Sequence, residues 1–422
     1  RKTLLSLLQE RARAEGVRMR FQHEVRDPSE LDDFDVVVVC DGANSRFRTL
    51  FGDGFGPTAE VASAKFIWFG TTYAFDGLTF VHQDGPHGVF AAHAYPISDS
   101  LSTFIVETDA DSWARAGLDA FDPSTPPGMS DEKTKGYLEN LFRDQIDGHP
   151  LVGNNSRWAN FATRRARSWR RGTWVLLGDA AHTAHFSVGS GTKMAMEDAV
   201  ALAEALGEAS HSVPEALEIY EERRRPEVEK IQNSARPSLS WWEHFGRYVR
   251  TLDDPTQFAF HFLTRSIPRG KLAVRDALYV DRVDGWWRGR HDAGPLRTPF
   301  RGGSYRLPTR RVTADDDVLT GTDGTGIPMV PFSGQSSGAG VWIEAPGTEE
   351  GLPLVLDQVR ETAEAGALLV GVRGGTALIR VLVAEEARLV HSLPAAIVGA
   401  YDDDTATTLI LSGRADLVGG TK

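Results

Sequence analysis

The chain is expected to fold as an α/β protein. It combines a partial doubly wound parallel sheet, an antiparallel sheet set into it, and a short βα stretch at the C-terminal end. Three observations predict this. First, two apolar runs, Val36–Val39 in DVVVVCDG and Thr173–Leu177 in TWVLLGD, each end on an aspartate beside a glycine. Buried parallel strands open into loops in this way. Second, Lys65–Glu107 is dense in aromatic and β-branched residues broken by polar connections (KFIWFGTTYAF, GVFAAHAYPI, STFIVET), the pattern of three or more antiparallel strands. Third, from Leu354 to Leu417 short apolar runs alternate with helical stretches, which signals βα units.

Composition bounds the function classes. The chain has 422 residues, enough for two or three domains, and Lys+Arg 46 against Asp+Glu 58 gives a net charge of -12. An acidic balance argues against nucleic acid as a partner. No apolar run reaches membrane-spanning length. The one cysteine, Cys40, cannot build a disulfide framework and, inside VVVVC, reads as a small buried hydrophobe. With no signal peptide, a cytoplasmic setting is expected.

In order along the chain, Arg1–Gly16 reads as an amphipathic helix with Leu4, Leu5, Leu8 and Ala12 on one face. Val17–Val25 alternates as a strand does. Asp35–Arg48 is a central strand opening into a polar loop. Asp119–Ser130 is a proline-rich loop, and Asp131–Gln145 is helical. Arg164, Arg165, Arg167, Arg170 and Arg171 form a basic cluster, either a solvated loop or a phosphate contact. After the strand at Thr173–Leu177 comes a small-residue turn, Gly189-Ser190-Gly191. A helix follows from about Thr192, with Ala195, Ala199, Leu202 and Leu206 on one face and Gly207 as its stop. Pro214–Arg236 and SLSWWEHFGRYV are two further helical stretches. Asp253–Pro299 defaults to helical packing, and Gly302–Glu350 reads as glycine- and serine-rich linker. Val355–Ala365 and Leu378–Val390 are helical, Ala367–Val372 and Ala395–Gly399 are strands, and TATTLILSG then ADLV close the chain as helix and strand.

The chemistry concentrates around Gly172–Gly207. A glycine-rich turn into a helix presents free backbone N–H groups and the positive end of the helix dipole, suited to a phosphate or a developing anion. Asp179, at the end of a strand, suits a ribose hydroxyl. His182 and His185 are three apart but in a loop with no third ligand at suitable spacing, so no metal is expected. His82, His87 and His93 receive no role.

The string GDAAH, then GSGT and MEDA, resembles the second flavin-binding motif of the FAD-dependent aromatic hydroxylases. Most of that family have a proline where this chain has Phe186 and Ser187. The variant HTAHFSVGSGTK is similar to the hydroxylases acting on salicylyl-CoA and 2-aminobenzoyl-CoA, and more distantly to tryptophan-type hydroxylases of pigment pathways. Asp41, Gly42, Ser45 and Arg48 match the family's D-G-x-x-S-x-x-R loop.

The resemblance implies FAD as cofactor, NAD(P)H and O2 as co-substrates, and an aromatic substrate that is either CoA-linked or a free acid, indole or polyketide. It places FAD on Asp41, Gly42, Arg48, Gly178, Asp179, Gly189, Gly191, Thr192 and Lys193, puts His185 and Phe186 beside flavin and substrate, and makes the antiparallel sheet a roof over the substrate. Arg1 matches an arginine that opens the family's corresponding helix. No catalytic side chain is named, because no nucleophile is required.

The chain has no G-x-G-x-x-G after a strand, the motif that opens the usual FAD module. It therefore reads as an N-terminally shortened piece lacking the first βαβ unit, with the edge Val36–Val39 exposed and the isolated chain unstable. A non-catalytic relative is the alternative.

The ending AIVGA…LILSGRADLV resembles the last two units of the old yellow enzyme barrel, with Gly399, Gly413 and Arg414 at FMN-phosphate positions. Residues 253–422 fall well short of the roughly 250 a full (β/α)8 barrel takes. They read as a remnant of part of a TIM barrel without reductase chemistry, for which FMN is the weaker expectation. The expected organisation is thus 1–252 as an incomplete FAD-binding monooxygenase domain with the substrate sheet at about 60–160 inserted, 253–350 as helical segment and linker, and 351–422 as the barrel remnant.

Overall fold

The structure is a computed structural model describing residues 2–121, 130–209, 211–333 and 338–421. Arg1 and most of the proline-rich stretch at 119–130 lie outside these. The chain divides into two compact units. One comprises residues 1–59, 164–183 and 190–229; the other comprises 60–163, 184–189 and 230–422.

The first unit is built on a three-stranded sheet. Val37–Val39 pairs in parallel with Trp174–Leu176, register Val37 to Trp174, and the latter pairs antiparallel with Arg170–Arg171. Val175 and Leu176 are fully buried, as a central strand requires, whereas Val38 on the edge strand is exposed. Cys40, expected to be buried, is exposed, because it follows that edge strand where the chain turns into the loop. The amphipathic N-terminal helix forms at Lys2–Ala14, with Leu4, Leu5 and Leu8 exposed. Residues 17–25 form no strand. Alternation alone is not enough without a neighbouring edge to bond, and Val17 and Phe21 stay exposed. The helix after the glycine turn spans Gly191–Glu208 and runs through Gly207 rather than stopping there. A glycine one residue from a helix end costs about 1 kcal/mol at most, too little to end it early.

The second unit contains a mainly antiparallel sheet. Its strand order is Thr79–Gly85, Gly88–Ser98, Leu101–Thr108, Pro57–Thr71, Leu151–Val152, and Ala159–Ala166 also pairs with the long strand Pro57–Thr71. Period-two alternation divides its residues between two faces. Phe90, Ala92, Ala94, Phe104 and Val106 pack with Leu138 and Phe142 of the following segment. Val89 and Ala91 pack instead against Trp241, Trp242, Phe245 and Tyr248, which recur at helical spacing on the long helix Val213–Thr251. That helix joins two stretches the sequence reads separately.

The same unit ends in a closed seven-stranded sheet: Arg311–Ala314, Val318–Gly321, Gly326–Pro331, Gly340–Ala345, Leu369–Gly374, Ala395–Val398 and Leu417–Thr421. The first three pair antiparallel, the last five run parallel, and Arg311–Ala314 closes on Leu417–Thr421 in parallel. Val341, Ile343, Val370, Val372, Ala395 and Ile397 face the surrounding helices, while Trp342, Leu369, Ala396 and Val398 fill the interior. Two expectations change. The stretch read as linker at 302–350 supplies four of the seven strands, because short β runs separated by turn residues look like linker when they pair only with distant partners. The βα units at 351–422 are not an open piece of an eight-stranded parallel barrel. They close with those four strands into a smaller mixed sheet.

Candidate active site

In the first unit two loops meet at the ends of the parallel strands. Gly42 has φ +87 and Gly178 φ +61, conformations that favour glycine. At Gly178 a Cβ would also lie 3.1 Å from the Ala195 Cβ, so glycine lets the helix Gly191–Glu208 pack against the turn. Asp41 does not stand free: its Oδ2 accepts from the Arg46 N–H at 2.8 Å, while Ser45 Oγ accepts from the Arg48 N–H at 3.1 Å, together capping the short helix Arg46–Leu50. Arg48 is buried, and its guanidinium donates to the carbonyls of Ala43 (2.5 Å) and Ala180 (2.7 Å), the latter in the other loop. Arg48 thus clamps the two loops together through backbone oxygens. Asp179, by contrast, is exposed.

A second clamp was not visible in the sequence. Asp198, the aspartate of MEDA, is fully buried. Its Oδ2 accepts from the Gly178 N–H (3.2 Å) and from His182 Nε2 (2.7 Å), and its Oδ1 from Arg224 Nε (2.8 Å). Burial works to raise the Asp198 carboxyl, but the His182 and Arg224 contacts outweigh it and hold it below the usual range. Tyr220 donates to the Leu176 carbonyl. The segment YEERRRP therefore braces the strand and turn, and the signal that could have found it is the run of arginines one helix after a buried acid.

The helix at Gly191 begins with Ser190, whose side chain makes no capping bond. Among the described residues Ser190 Oγ is buried without a partner, beside the free N–H groups of the helix's first turn. Thr192 and Lys193 are exposed, Lys193 pairing with Glu197. An unpartnered hydroxyl and a row of N–H donors at a helix start suit the oxygens of a phosphate or of an electron-rich ring carbonyl, so the residues fit a flavin nucleotide. Four of the five clustered arginines have partners within the unit: Arg170 pairs with Glu218 and Glu221, Arg171 stacks on Phe51, Arg164 donates to Asn44, and Arg167 donates to the Asp53 carbonyl.

In the second unit the segment Ala184–Gly189 carries His185 and Phe186. Phe186 packs against the rings of Phe66 (5.1 Å), Phe161 (6.1 Å) and His93 (5.9 Å). His185 is buried, with Nδ1 at 2.7 Å from Ser187 Oγ and Nε2 at 3.5 Å from Glu107 Oε1. His93, to which the sequence assigned nothing, lies on the same sheet face as Glu107, with Nε2 at 3.1 Å from Glu107 Oε2. Strand register explains this: Ala91 pairs with Glu107, so His93 is its diagonal neighbour. Burial alone would raise Glu107, but the two histidines outweigh it and hold the carboxyl down at about 2.

Arg414 corrects the reading of an FMN-phosphate remnant. Its guanidinium is buried and already committed to Glu385 (3.2 Å), Thr264 Oγ1 (3.1 Å) and the His261 carbonyl (2.8 Å). Gly413 faces the Gln257 side chain, and Gly399 faces Tyr401 and Arg380. These three residues hold the closed sheet to the helix Pro255–Leu263 and its own loops. Among the described residues no group of three or more His, Cys, Asp or Glu is arranged to hold a metal ion, and no helix is long and apolar enough to cross a membrane.

The family described as FAD binding domain matches residues 2–235. The chain belongs to this FAD-binding family. It is 90% identical over all 422 residues to a salicyloyl-CoA 5-hydroxylase of a Streptomyces species, spanning 82% of that protein. It is 40% identical over 242 residues to the 3-hydroxy-4-methyl-anthranilyl-[aryl-carrier protein] 5-monooxygenase of Streptosporangium sibiricum, covering 57% of this chain and 62% of that one. It is 35% identical over 246 residues to the protodeoxyviolaceinate monooxygenase of Chromobacterium violaceum, covering 58% and 63%. The FAD-binding match takes in both the Asp41–Arg48 loop and the Gly178–Lys193 turn.

Proposed function

We propose that this protein is an FAD-dependent monooxygenase that hydroxylates the ring of an aryl-CoA thioester, salicyloyl-CoA, with NAD(P)H and O2 as co-substrates. The observation that carries the reading is the 90% identity to a salicyloyl-CoA 5-hydroxylase along the whole chain. The relative named for an anthranilyl group on an aryl-carrier protein supports a thioester-linked aryl substrate over a free acid.

FAD, when bound, supplies the hydride acceptance and oxygen activation that side chains cannot. In this reading Asp179 holds a hydroxyl of the cofactor's sugar chain. The turn Gly189, Gly191, Thr192 and Lys193, with the Ser190 hydroxyl, presents donors to negative charge on the flavin. Gly42 and Gly178 let the backbone come close. Asp41 and Arg48 act one step back, fixing the two loops through backbone groups. In the second unit His185 and Phe186 form part of the substrate wall. By organisation, residues 1–252 act as the FAD-binding monooxygenase domain with the sheet at about 60–160 inserted. The segment 351–422 descends from an FMN-type barrel whose phosphate residues have been reused for packing.

The test is to denature the purified protein, separate released FAD from FMN, and follow NAD(P)H oxidation with salicyloyl-CoA against salicylate. FAD alone, with oxidation and a hydroxylated product only from the thioester, is expected. A protein that holds no flavin, or that hydroxylates salicylate as readily as the thioester, overturns the reading.

A further inference from the structure

Arg265, in the second unit, lies two residues beyond the helix Pro255–Leu263 and is half-buried. Its Nε donates to Ser238 Oγ (2.9 Å), its Nη1 donates to the Phe262 carbonyl (2.8 Å), and its Cζ stands 4.0 Å from the centre of the Phe262 ring. A guanidinium carries five N–H groups, and these two bonds leave the Nη2 edge uncommitted. Among the described residues Nη2 makes no hydrogen bond, and no carboxylate pairs with Arg265. Other arginines of the unit are matched: Arg247 with Glu386, Arg269 with Asp284, Arg414 with Glu385. Burial pushes the Arg265 guanidinium down from 12.5 to about 10, with Glu107 opposing the fall and Arg414 adding to it. It is still a cation at neutral pH, and a cation drawn out of water without an anion is costly.

A second observation is where this cation is held. Ser238 Oγ meets Ser187 Oγ at 2.8 Å, and Ser187 Oγ meets His185 Nδ1 at 2.7 Å. The Ser187 N–H also points to that nitrogen (3.4 Å), which makes it an acceptor. The hydroxyl protons therefore run one way, from Ser238 to Ser187 to His185, and the Ser238 oxygen is left to accept from Arg265. These fixed partners hold the guanidinium by its Nε side and offer nothing to Nη2. They also tie it, through two hydroxyls, to the residue after Phe186. The Phe186 ring packs against Phe66, Trp68 and Phe161. Those four aromatic residues are half-buried, as Arg265 is, whereas Trp242 and Phe245 behind the sheet are closed off in the core. The wall therefore keeps apolar surface accessible, and a cation with an open edge is fixed to its Phe186 segment.

We infer that Arg265 is a specificity-determining residue that receives the two adjacent oxygens of a 2-hydroxyaryl thioester, the carbonyl oxygen and the ring hydroxyl. This rests on the reading of the substrate as salicyloyl-CoA. The two oxygens stand on neighbouring branches of one flat conjugated group and face the same way. The planar guanidinium matches such a pair with parallel N–H groups, which an ammonium cannot do. An aryl thioester without the ortho hydroxyl fills only half of that fork. The residue acts in binding and orientation; it gives up no proton and forms no bond. The thioester's remote CoA phosphates are a different partner for the same charge, and the experiment separates the two.

The experiment measures dissociation constants by calorimetry on the FAD-loaded protein without NAD(P)H, so that no turnover occurs. The probes are salicyloyl-CoA, benzoyl-CoA and CoA alone. Wild type should prefer salicyloyl-CoA to benzoyl-CoA roughly tenfold or more, the worth of a hydrogen bond to a charged group. Arg265→Met keeps the length of the side chain and removes the fork. It should weaken salicyloyl-CoA roughly 10- to 100-fold, erase most of the preference over benzoyl-CoA, and leave CoA alone unchanged. Arg265→Lys restores the charge without the fork and should recover only part of the preference. No carboxylate depends on Arg265, so both variants should fold and keep FAD. An Arg265→Met protein that still discriminates as wild type does overturns the inference. So does one that loses CoA alone as strongly as salicyloyl-CoA, which places the charge on a CoA phosphate, or one that loses FAD and every probe alike, which makes the role structural. Wild type that binds FAD but not salicyloyl-CoA overturns the substrate reading and this inference with it.

Discussion

Asp198 in the first unit and Glu107 in the second are both buried carboxylates held below their ordinary range by histidine. Asp198 also has Arg224 and the Gly178 N–H on it. Among the described residues no lysine or arginine pairs with Glu107, whose contacts are His93 and His185. The arginine makes the difference. With a permanent cation on the carboxylate, the charge is cancelled whatever the histidine does, and the group serves as a fixed brace beneath the glycine turn. With two imidazoles only, no permanent cation is paired with the carboxylate, and the group depends on its two histidines. A buried His–carboxylate contact is therefore not a functional signal by itself; what else sits on the carboxylate decides.

The largest effect that would sharpen this contrast is expected at Asp198. Replacing it with alanine strands the buried Arg224 guanidinium and leaves the Gly178 N–H and His182 without their acceptor. Removing one partner of a buried ion pair costs about 3–5 kcal/mol. Asp198→Ala should therefore lower the urea midpoint sharply and lose FAD on gel filtration. The matching change at the other carboxylate, Glu107→Gln, keeps most hydrogen bonds and should retain FAD. Equal losses of FAD from the two variants would erase the distinction.

Acid should expose the second unit next. Burial pushes His82 and His261 down to about 4 from an ordinary 6.5, with His93 adding to the effect on His82 and Arg414 to that on His261. A histidine depressed in the folded state contributes stability that is fully present above its unfolded value. That stability is lost as pH falls through the folded one, because the unfolded chain binds more protons. The melting temperature is thus expected to drop between about pH 6.5 and pH 4. Glu107 and Glu385, both held at about 2, extend the loss only below about pH 4.5. His82→Leu should flatten part of the upper limb. A variant with the same pH 6.5-to-4 slope as wild type would rule His82 out as a source.

The motifs that could be read in advance were those whose chemistry is local. Gly42, Gly178 and the turn at Gly189–Gly191 announce themselves because positive φ and close approach demand glycine in the chain itself. The aromatic sheet was legible because period-two patterning is also local. Arg48, Asp198 and Arg224 were not readable as clamps, since their partners lie far along the chain, 132 residues away for the Arg48–Ala180 contact. His93 and Glu107 are 14 apart and become neighbours only once the strand register is known. The strands at 311–345 fail for the same reason at larger scale. Short runs such as Val318–Gly321 carry little pattern of their own, and they make sense only when Arg311–Ala314 pairs with Leu417–Thr421.

The smallest effect tests whether the open hydroxyl at the helix start belongs to the cofactor or to nothing. Among the described residues Ser190 Oγ makes no hydrogen bond, so Ser190→Ala removes no internal partner there. Removing a buried hydroxyl that has no partner strands no other group, and the melting temperature of flavin-free protein should not fall. If the hydroxyl donates to FAD, its loss removes one hydrogen bond of about 0.5–1.5 kcal/mol, equivalent to roughly two- to tenfold in the FAD dissociation constant. Quenching of flavin fluorescence on titration into apoprotein reads that constant without turnover. An unchanged constant would show that the N–H groups of the first turn bind the flavin without help from this side chain. A large fall in the stability of the flavin-free protein would instead mean that the hydroxyl has a partner within the fold, and that the clamp built on Asp198 reaches further up the helix.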